Sequence, residues 1–532
     1  MGRRGLAVAI VCSFAACGQA ATDGGQAVVA PGWTPTPTAA PTPTVTSRAA
    51  AVPSPPPGPR LIAPLSTSVS TSTRPILAWV ADSDATQAQA QVDVCRDRGC
   101  QDVIVSFLAA GSPARPPEPL PAGVVFWRVS SDAVGGRTSA VWELTIPARD
   151  SGRAASWGSV PDFNGDGFGD LAVCVQANGS APLVDQVRFF PGGRDGLATS
   201  ATQTFSGAFG FAGEAGSAGD LDGDGFADLA VWNGSPLVPS QPQSATVTVY
   251  RGGPAGLSSP VTIDGPDAVF ANPMRVLSAG DVNGDGYGDL LVGGSELAEL
   301  FLGGPAGLSP TAVQTLAPPA DGRPDARWPI GDGDFDGDGH PDAIISGAEG
   351  GLLYDGDGQT LSAHPGPTFA AFGALAGDFN GDGFADLASS VIFTGGPGGL
   401  TTVFQSVAGQ LFDQGVGDVD GDGFSDVLST VAPFVGVPEG DRLYFGSPTG
   451  CSSTACPGFV PLLVPGHPNP RFTGDGARGL GDVNGDGFAD FVFFSPGAGA
   501  VYLFYGSRTG PPASPSVTIR AEPGFGVAVA GM

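Results

Sequence analysis

Seven times this chain writes Asp-x-Asp/Asn-Gly-Asp-Gly-x-x-Asp, and any fold must present seven equivalent acidic loops. Positions 1, 3, 5 and 9 are Asp162, Asn164, Asp166 and Asp170 in the first copy, and Asp220, Asp222, Asp224 and Asp228 in the second. The third and fourth hold Asp281, Asn283, Asp285, Asp289 and Asp334, Asp336, Asp338, Asp342. The last three hold Asp378, Asn380, Asp382, Asp386; Asp418, Asp420, Asp422, Asp426; and Asp482, Asn484, Asp486, Asp490. Four oxygen side chains converging within a few ångströms suit one hard cation, Ca²⁺, and repel one another without it. The Gly at position 6 permits the backbone reversal that returns position 9 to the same point.

An EF-hand begins the same way but needs a bidentate Glu at position 12 and flanking helices. Position 12 here is Val173, Val231, Val292, Ile345, Ser389, Ser429 or Phe493. Each loop runs into a short apolar segment such as Leu171-Ala172-Val173 or Phe491-Val492-Phe493, which reads as a buried strand. The expected unit is therefore strand–loop–strand.

The loops recur every 40 to 64 residues, room for four short strands each. An aromatic-Gly step precedes several of them (Trp157-Gly158, Phe209-Gly210, Phe372-Gly373). A Gly-rich turn follows a third strand, as in Gly252-Gly253-Pro254-Ala255-Gly256-Leu257. Self-similarity at that period signals a propeller or solenoid, and seven four-stranded units suit closure into a ring. The 85 Gly and 51 Pro among 532 residues agree with many short strands and tight turns. The net charge of −29 arises largely from the 24 loop carboxylates. Seven Ca²⁺ would return +14 and leave about −15, which argues against nucleic acid as a partner.

Residues 1–17 read as a secretory signal: Arg3 and Arg4, an apolar stretch from Leu6 to Phe14, then small residues before Cys17, the expected lipidation site. Phe14 stands where such a box normally has Leu, so ordinary cleavage and free secretion is the alternative. Residues 18–60 form a Pro/Thr-rich disordered linker, whose 29 central residues would reach on the order of 90 Å in polyproline form. Residues 61–148 contain segments of strand character at 75–80, 90–94, 124–129 and 142–146, and are expected to form a small β-sandwich. The pattern is similar to a fibronectin type III module. Cys95 with Cys100, and Cys451 with Cys456, are expected local disulfides of an oxidising compartment, while Cys174 reads as a buried free thiol.

Aromatic-Gly followed by Gly-Asp-x-Asn-Gly-Asp-Gly-x-x-Asp and an apolar strand resembles the FG-GAP repeat of integrin α-subunit propellers and their bacterial relatives. The resemblance covers roughly residues 155 to 532 and implies an all-β fold, a seven-bladed β-propeller over residues 149–532 preceded by the small β-sandwich. It implies side-chain ligands at positions 1, 3, 5 and 9 and a backbone carbonyl from position 7. The position-7 side chain, aromatic except at His340, packs between blades, with His340 a packing substitute. All seven copies carry a full ligand set, whereas integrin propellers use only some of theirs. The final Phe525-Gly526 step has no acidic loop after it and is expected to close the ring against the first blade.

These features predict a calcium-stabilised binding or adhesion protein, surface-displayed or secreted and monomeric, recognising a protein or glycan. A lipid anchor would be its sole membrane attachment. The variable loops at 176–186, 232–245 and 431–441 are the expected seat of recognition. A polysaccharide-active enzyme or its accessory module, and a structural envelope component, are the alternatives. With three histidines and no nucleophile elbow or zinc-protease motif, the expectation is that the chain is not an enzyme.

Overall fold

The computed structural model describes residues 58–532 apart from 82–88, 132–136, 177–183, 209–212, 234–245, 259, 265–274, 295–296, 318–328, 347–349, 365–372, 390, 406–409, 432–440, 449–458, 463–475 and 522–524. The signal segment, Cys17, the linker up to residue 57, the Cys451–Cys456 pair and most of the three variable loops lie outside the described residues. The described secondary structure is all β, and no helix there is long and apolar enough to cross a membrane.

Residues 171–530 form seven four-stranded antiparallel sheets. Each complete blade runs outward in chain order, as in Glu214–Gly219, Asp228–Asn233, Thr246–Tyr250 and Pro260–Asp264 of the second. The second strands are the apolar runs seen in the sequence; Leu171–Val175, Asp289–Gly293 and Asp342–Ser346 are buried along their whole length. They are covered on both faces by neighbouring blades, which is why hydrophobicity there is continuous rather than alternating. The inner strands are Ala-, Gly- and Ser-rich because seven of them crowd one axis. A Cβ on Gly415 would stand 2.5 Å from the Leu375 carbonyl of the adjacent inner strand.

Each inner strand neighbours the next from Glu214–Gly219 round to Gly476–Gly481, and Phe525–Ala530 closes the circuit between the last and first members. This C-terminal strand pairs with Leu171–Val175 and supplies the inner strand of blade one. The fold is a β-propeller closed by hydrogen bonds between its two chain ends, as the unpartnered Phe525-Gly526 step suggested. The aromatic-Gly step of repeat one is diverted instead. Ser156–Trp157 pairs with Ser68–Ser70 of the N-terminal module, and Gly158 donates its N–H to the Asp332 carbonyl of blade four at 2.9 Å. Trp157 packs on Gly377 of blade five and Val160 on Gly481 of blade seven, so residues 157–160 plug the acidic-loop end of the central channel.

The N-terminal module has a six-stranded sheet ordered Val103–Ala109, Ala90–Cys95, Gly123–Ser131, Trp142–Ile146, Ser68–Ser70, Ser156–Trp157. A two-stranded sheet, Arg60–Ala63 with Ala78–Val80, shares its core through Leu61 and Trp79. Three strands escaped the sequence reading: Arg60–Ala63, Ser68–Ser70 and Val103–Ala109, the last with an irregular exposure pattern. Ser68–Ser70 runs parallel to Trp142–Ile146. Cys95 and Cys100 form a disulfide, and Cys174 is free and buried.

Neighbouring acidic loops interlock. The position-7 ring of one loop covers the position-4 Gly of the preceding loop: Phe226 on Gly165, Tyr287 on Gly223, Phe384 on Gly337, Phe424 on Gly381, Phe488 on Gly421 and Phe168 on Gly485. The position-8 N–H donates to the preceding position-1 carbonyl, as in Ala227 to Asp162 at 3.1 Å and Gly169 to Asp482 at 2.9 Å. A turn N–H after the third strand reaches the preceding position-2 carbonyl, as in Gly253 to Phe163 at 2.9 Å. Between blades three and four all three links fail. His340 lies on Gly358 of its own blade, Pro341 has no N–H to give, and no turn N–H of blade four reaches Val282.

Two outcomes follow from this packing. Removing residues 520–532, or changing the fully buried Phe525 to Ala, should lower the melting temperature by on the order of 10 °C, since losing a buried Phe alone costs about 3–5 kcal/mol. An unchanged melt would show that the closure is dispensable. In hydrogen exchange, residues 278–290 and 330–345 should lose protection before residues 217–230 and 415–428. The pair His340→Phe with Pro341→Ala should slow that exchange.

Candidate metal centres

Each acidic loop joins the inner strand of a blade to its second strand, so all seven lie at one end of the propeller. Position 1 accepts two peptide hydrogen bonds. In the second loop Asp220 Oδ1 takes the Asp224 N–H at 3.0 Å and Oδ2 takes the Gly225 N–H at 2.8 Å. The Gly at position 6 adopts a left-handed conformation, φ +98° at Gly225, which turns its N–H inward. Position 5 accepts from the N–H of position 7, as in Asp224 with Phe226 at 3.1 Å.

Position 9 anchors the loop. Its Oδ2 accepts the position-2 N–H and its Oδ1 accepts a Gly N–H from the turn between third and fourth strands. Asp170, for example, bonds Phe163 and Gly192, both at 2.9 Å. The same pair recurs at Asp228, Asp289, Asp342, Asp386, Asp426 and Asp490. The Gly-rich turn that looked like a separate repeat signature is thus part of the acidic site.

Positions 1 and 9 are buried or nearly so, while positions 3 and 5 are more exposed in most loops; Asp162, Asp170, Asp220 and Asp490 have no exposed surface. In three loops carboxylate oxygens gather within 4.8 Å: Asp220, Asp222 and Asp224; Asp334, Asp336 and Asp342; Asp418, Asp420 and Asp426. These are the three copies with Asp at position 3. The others place Asn164, Asn283, Asn380 or Asn484 there, so a neutral oxygen replaces a charge. Asp222 is also paired with Arg251 of the third strand at 2.8 Å, and its Oδ1 is buried with no hydrogen-bond partner.

Burial, and then the neighbouring carboxylates, raise the affinity of these groups for protons. Burial pushes Asp281 and Asp334 up to about 6, Asp378 and Asp418 to about 7 and Asp342 to about 8. Asp170, Asp228, Asp289, Asp386, Asp426 and Asp490 are raised well above the usual range for the same reason. A set of buried acids tending to hold protons is a set short of positive charge, and oxygen-only donors fit a hard cation.

The N-terminal module docks on this end of the propeller. Arg98 donates to the Gly165 and Gly225 carbonyls at 2.6 and 2.9 Å and lies 4.3 Å from the Phe226 ring centre. Arg153 donates to Gly337 at 2.9 Å and covers Phe384, Arg149 covers Phe424, and Arg60 bonds the Asp285 carbonyl and covers Tyr287. Glu143, buried beside Asp162 and paired with Arg98 at 3.2 Å, adds a carboxylate to the first site. The sequence reading missed these groups, because nothing local marks a residue whose partner lies dozens to hundreds of positions away.

Comparison with known proteins agrees with the repeat. Residues 129–231 and 334–389 match the FG-GAP-like repeat family, and residues 479–504 match the FG-GAP repeat. Integrin alpha-PS2 of Drosophila melanogaster is 52% identical over 48 residues, which is 8% of this chain and 3% of that protein. Among solved structures, a candidate 6-phosphogluconolactonase from Bacteroides uniformis aligns over 68% of this chain and 98% of its own. Its sequence identity is 14% and its TM-score 0.42. A protein from Lactobacillus plantarum aligns over the same shares, at 12% identity and TM-score 0.41. The expectation that the chain is not an enzyme is withdrawn, because a candidate 6-phosphogluconolactonase stands among the similar structures. The physical reason is that a ring of sheets is a scaffold whose loops and channel can host chemistry independently of the acidic turns. The likeness itself assigns no activity here. Acidic loop, preceding and following strands and matched residues together show that the chain carries FG-GAP-type repeats, similar to those of an integrin α-subunit.

Proposed function

We propose that the seven loops bind Ca²⁺ and that the ions hold the propeller as a rigid binding scaffold, displayed outside the cytoplasm, for a protein or glycan partner. The position-9 aspartate carries this reading. It is buried in every blade and ties its loop to a second turn. The ligands would be positions 1, 3, 5 and 9, with the position-7 carbonyl. Bound Ca²⁺ would neutralise the cluster and lock the turn, so its binding energy adds to folding stability.

The geometry of the interdomain contact supports recognition elsewhere than at the metal loops. Four arginines of the N-terminal segment already occupy that end, which leaves the opposite end for partners. The second strands of the blades end there and the third strands begin there. Display away from the cell surface would follow from lipidation at Cys17 and the Pro/Thr-rich spacer.

The melting temperature of the protein, measured against free Ca²⁺ and pH, tests the metal reading. Carboxylates whose folded pKa is raised contribute stability below their unfolded value near 4, and lose it as pH rises through about 6 to 8. In chelator the melt should therefore fall as pH goes from 5.5 to 8. Calcium should restore it, with the larger gain at pH 8. A calcium response absent at both pH values would remove the metal reading. Binding of the calcium-loaded chain to an array of glycans and matrix proteins tests recognition; retention should be lost in chelator.

A further inference from the structure

The seven inner strands enclose a central cup of about 550 Å³, counting its open mouth, within the size range of small-molecule sites. Each inner strand runs toward its acidic loop, so residues at the strand starts face the opposite end. Glu214 and Arg275 stand at the mouth, Arg478 and Gln414 lie deeper, and Asp332 sits at the floor beside the plug of residues 157–160.

Two polar groups in this cup have hydrogen-bonding capacity that no described residue fills. Gln414 is 4% exposed; its Nε2 donates to the Met532 carbonyl at 2.9 Å, while its Oε1 is buried with no hydrogen bond. Leaving such an acceptor empty costs about 1–3 kcal/mol, and the oxygen is suited to a hydroxyl donor. The second is Arg275, whose guanidinium makes no side-chain hydrogen bond among the described residues. Arg478 by contrast is bound to Glu214 at 3.4 Å and to the Ala477 carbonyl at 2.8 Å. Glu214 faces both guanidiniums, and with Asp332 at the floor the cup holds two carboxylates against two arginines, so Arg275 offers a ligand open N–H donors rather than excess charge. Burial pulls Arg275 down to about 10, so it remains charged at neutral pH. Asp332 is removed from the mouth and accepts a hydrogen bond from Ser278.

We propose that this cup binds a hydroxylated monocarboxylate of the uronic-acid class, its carboxylate held by Arg275 and one hydroxyl donated to Gln414 Oε1. The Arg275 guanidinium keeps its hydrogen-bond donors open, and its planar fork matches a carboxylate in two-point contact. The empty amide acceptor selects for a ligand that also carries hydroxyls. The site lies apart from the acidic loops, and its ligand does not depend on calcium being the ion they hold.

Calorimetry on the full chain in calcium buffer, with D-galacturonate, D-glucuronate, D-galactose and acetate as probes, tests the assignment. At least one uronate should bind about tenfold or more tightly than galactose or acetate, because galactose lacks the carboxylate contact and acetate the hydroxyl contact. Arg275→Gln should weaken uronate binding about tenfold or more and remove the preference over galactose. Gln414→Leu should weaken it severalfold and leave acetate binding unchanged. The melting temperatures of both variants should stay near that of the parent, since neither side chain supports the blade core. Absence of saturable binding by either uronate, or unchanged affinity in a folded Arg275→Gln variant, would overturn the assignment. Unchanged affinity in Gln414→Leu would overturn the hydroxyl contact. A failure here with an intact calcium response would leave the metal reading standing.

Discussion

A buried aspartate at the ninth position of each loop is the constraint on which the rest of this molecule depends. Its two oxygens accept peptide N–H groups from two different turns, its own and the one between the third and fourth strands. One side chain therefore fixes the relation of all four strands in a blade at the loop end. The cost is a carboxylate in a dry environment, beside others of the same charge. Two peptide donors reduce that cost without removing it. The divalent cation proposed for each loop would offset the remainder where acidic residues are concentrated.

Closure distributes this local device around a ring. Aromatic-on-glycine contacts and two kinds of backbone hydrogen bond pass from each loop to the one before it, and the C-terminal strand completes blade one. The position-4 glycine thus serves two ends: it takes a left-handed backbone, φ +74° at Gly223, and it leaves room for a neighbour's ring. The third and fourth blades are joined differently, through their outer strands. Gln314 reaches the Leu361 backbone, and Tyr354 donates to the Ala317 carbonyl at 2.8 Å. A substitution of two adjacent residues, His340 and Pro341, accounts for the loss of two of the three usual loop links.

The N-terminal module is fitted to the propeller rather than strung beside it. Arginines seated on the position-7 rings use the same aromatic residues that lock neighbouring loops, and their donors satisfy carbonyls turned outward by the loop geometry. The segment leaving the module plugs the channel, which makes a blind cup out of what would otherwise be a pore. Cation–π contacts of this kind are individually modest, but here each also carries a hydrogen bond or covers buried surface.

Much of this was legible in the residues themselves. Seven copies of one acidic nonapeptide, apolar segments too short for helices, and a 40- to 64-residue period determine strands, loop sites and a repeat architecture, because all three depend on near neighbours in the chain. The terminal half-repeat announced a strand in need of a partner. What the tertiary structure decided was where long-range partners meet. The diversion of Trp157-Gly158 into a plug, the seating of Arg60, Arg98, Arg149 and Arg153 on the loops, and the open Gln414 Oε1 near Arg275 in the central cup leave no local pattern. Their positions are set by the closing of the ring, which brings together side chains separated by more than a hundred residues and so cannot be read from any window of sequence.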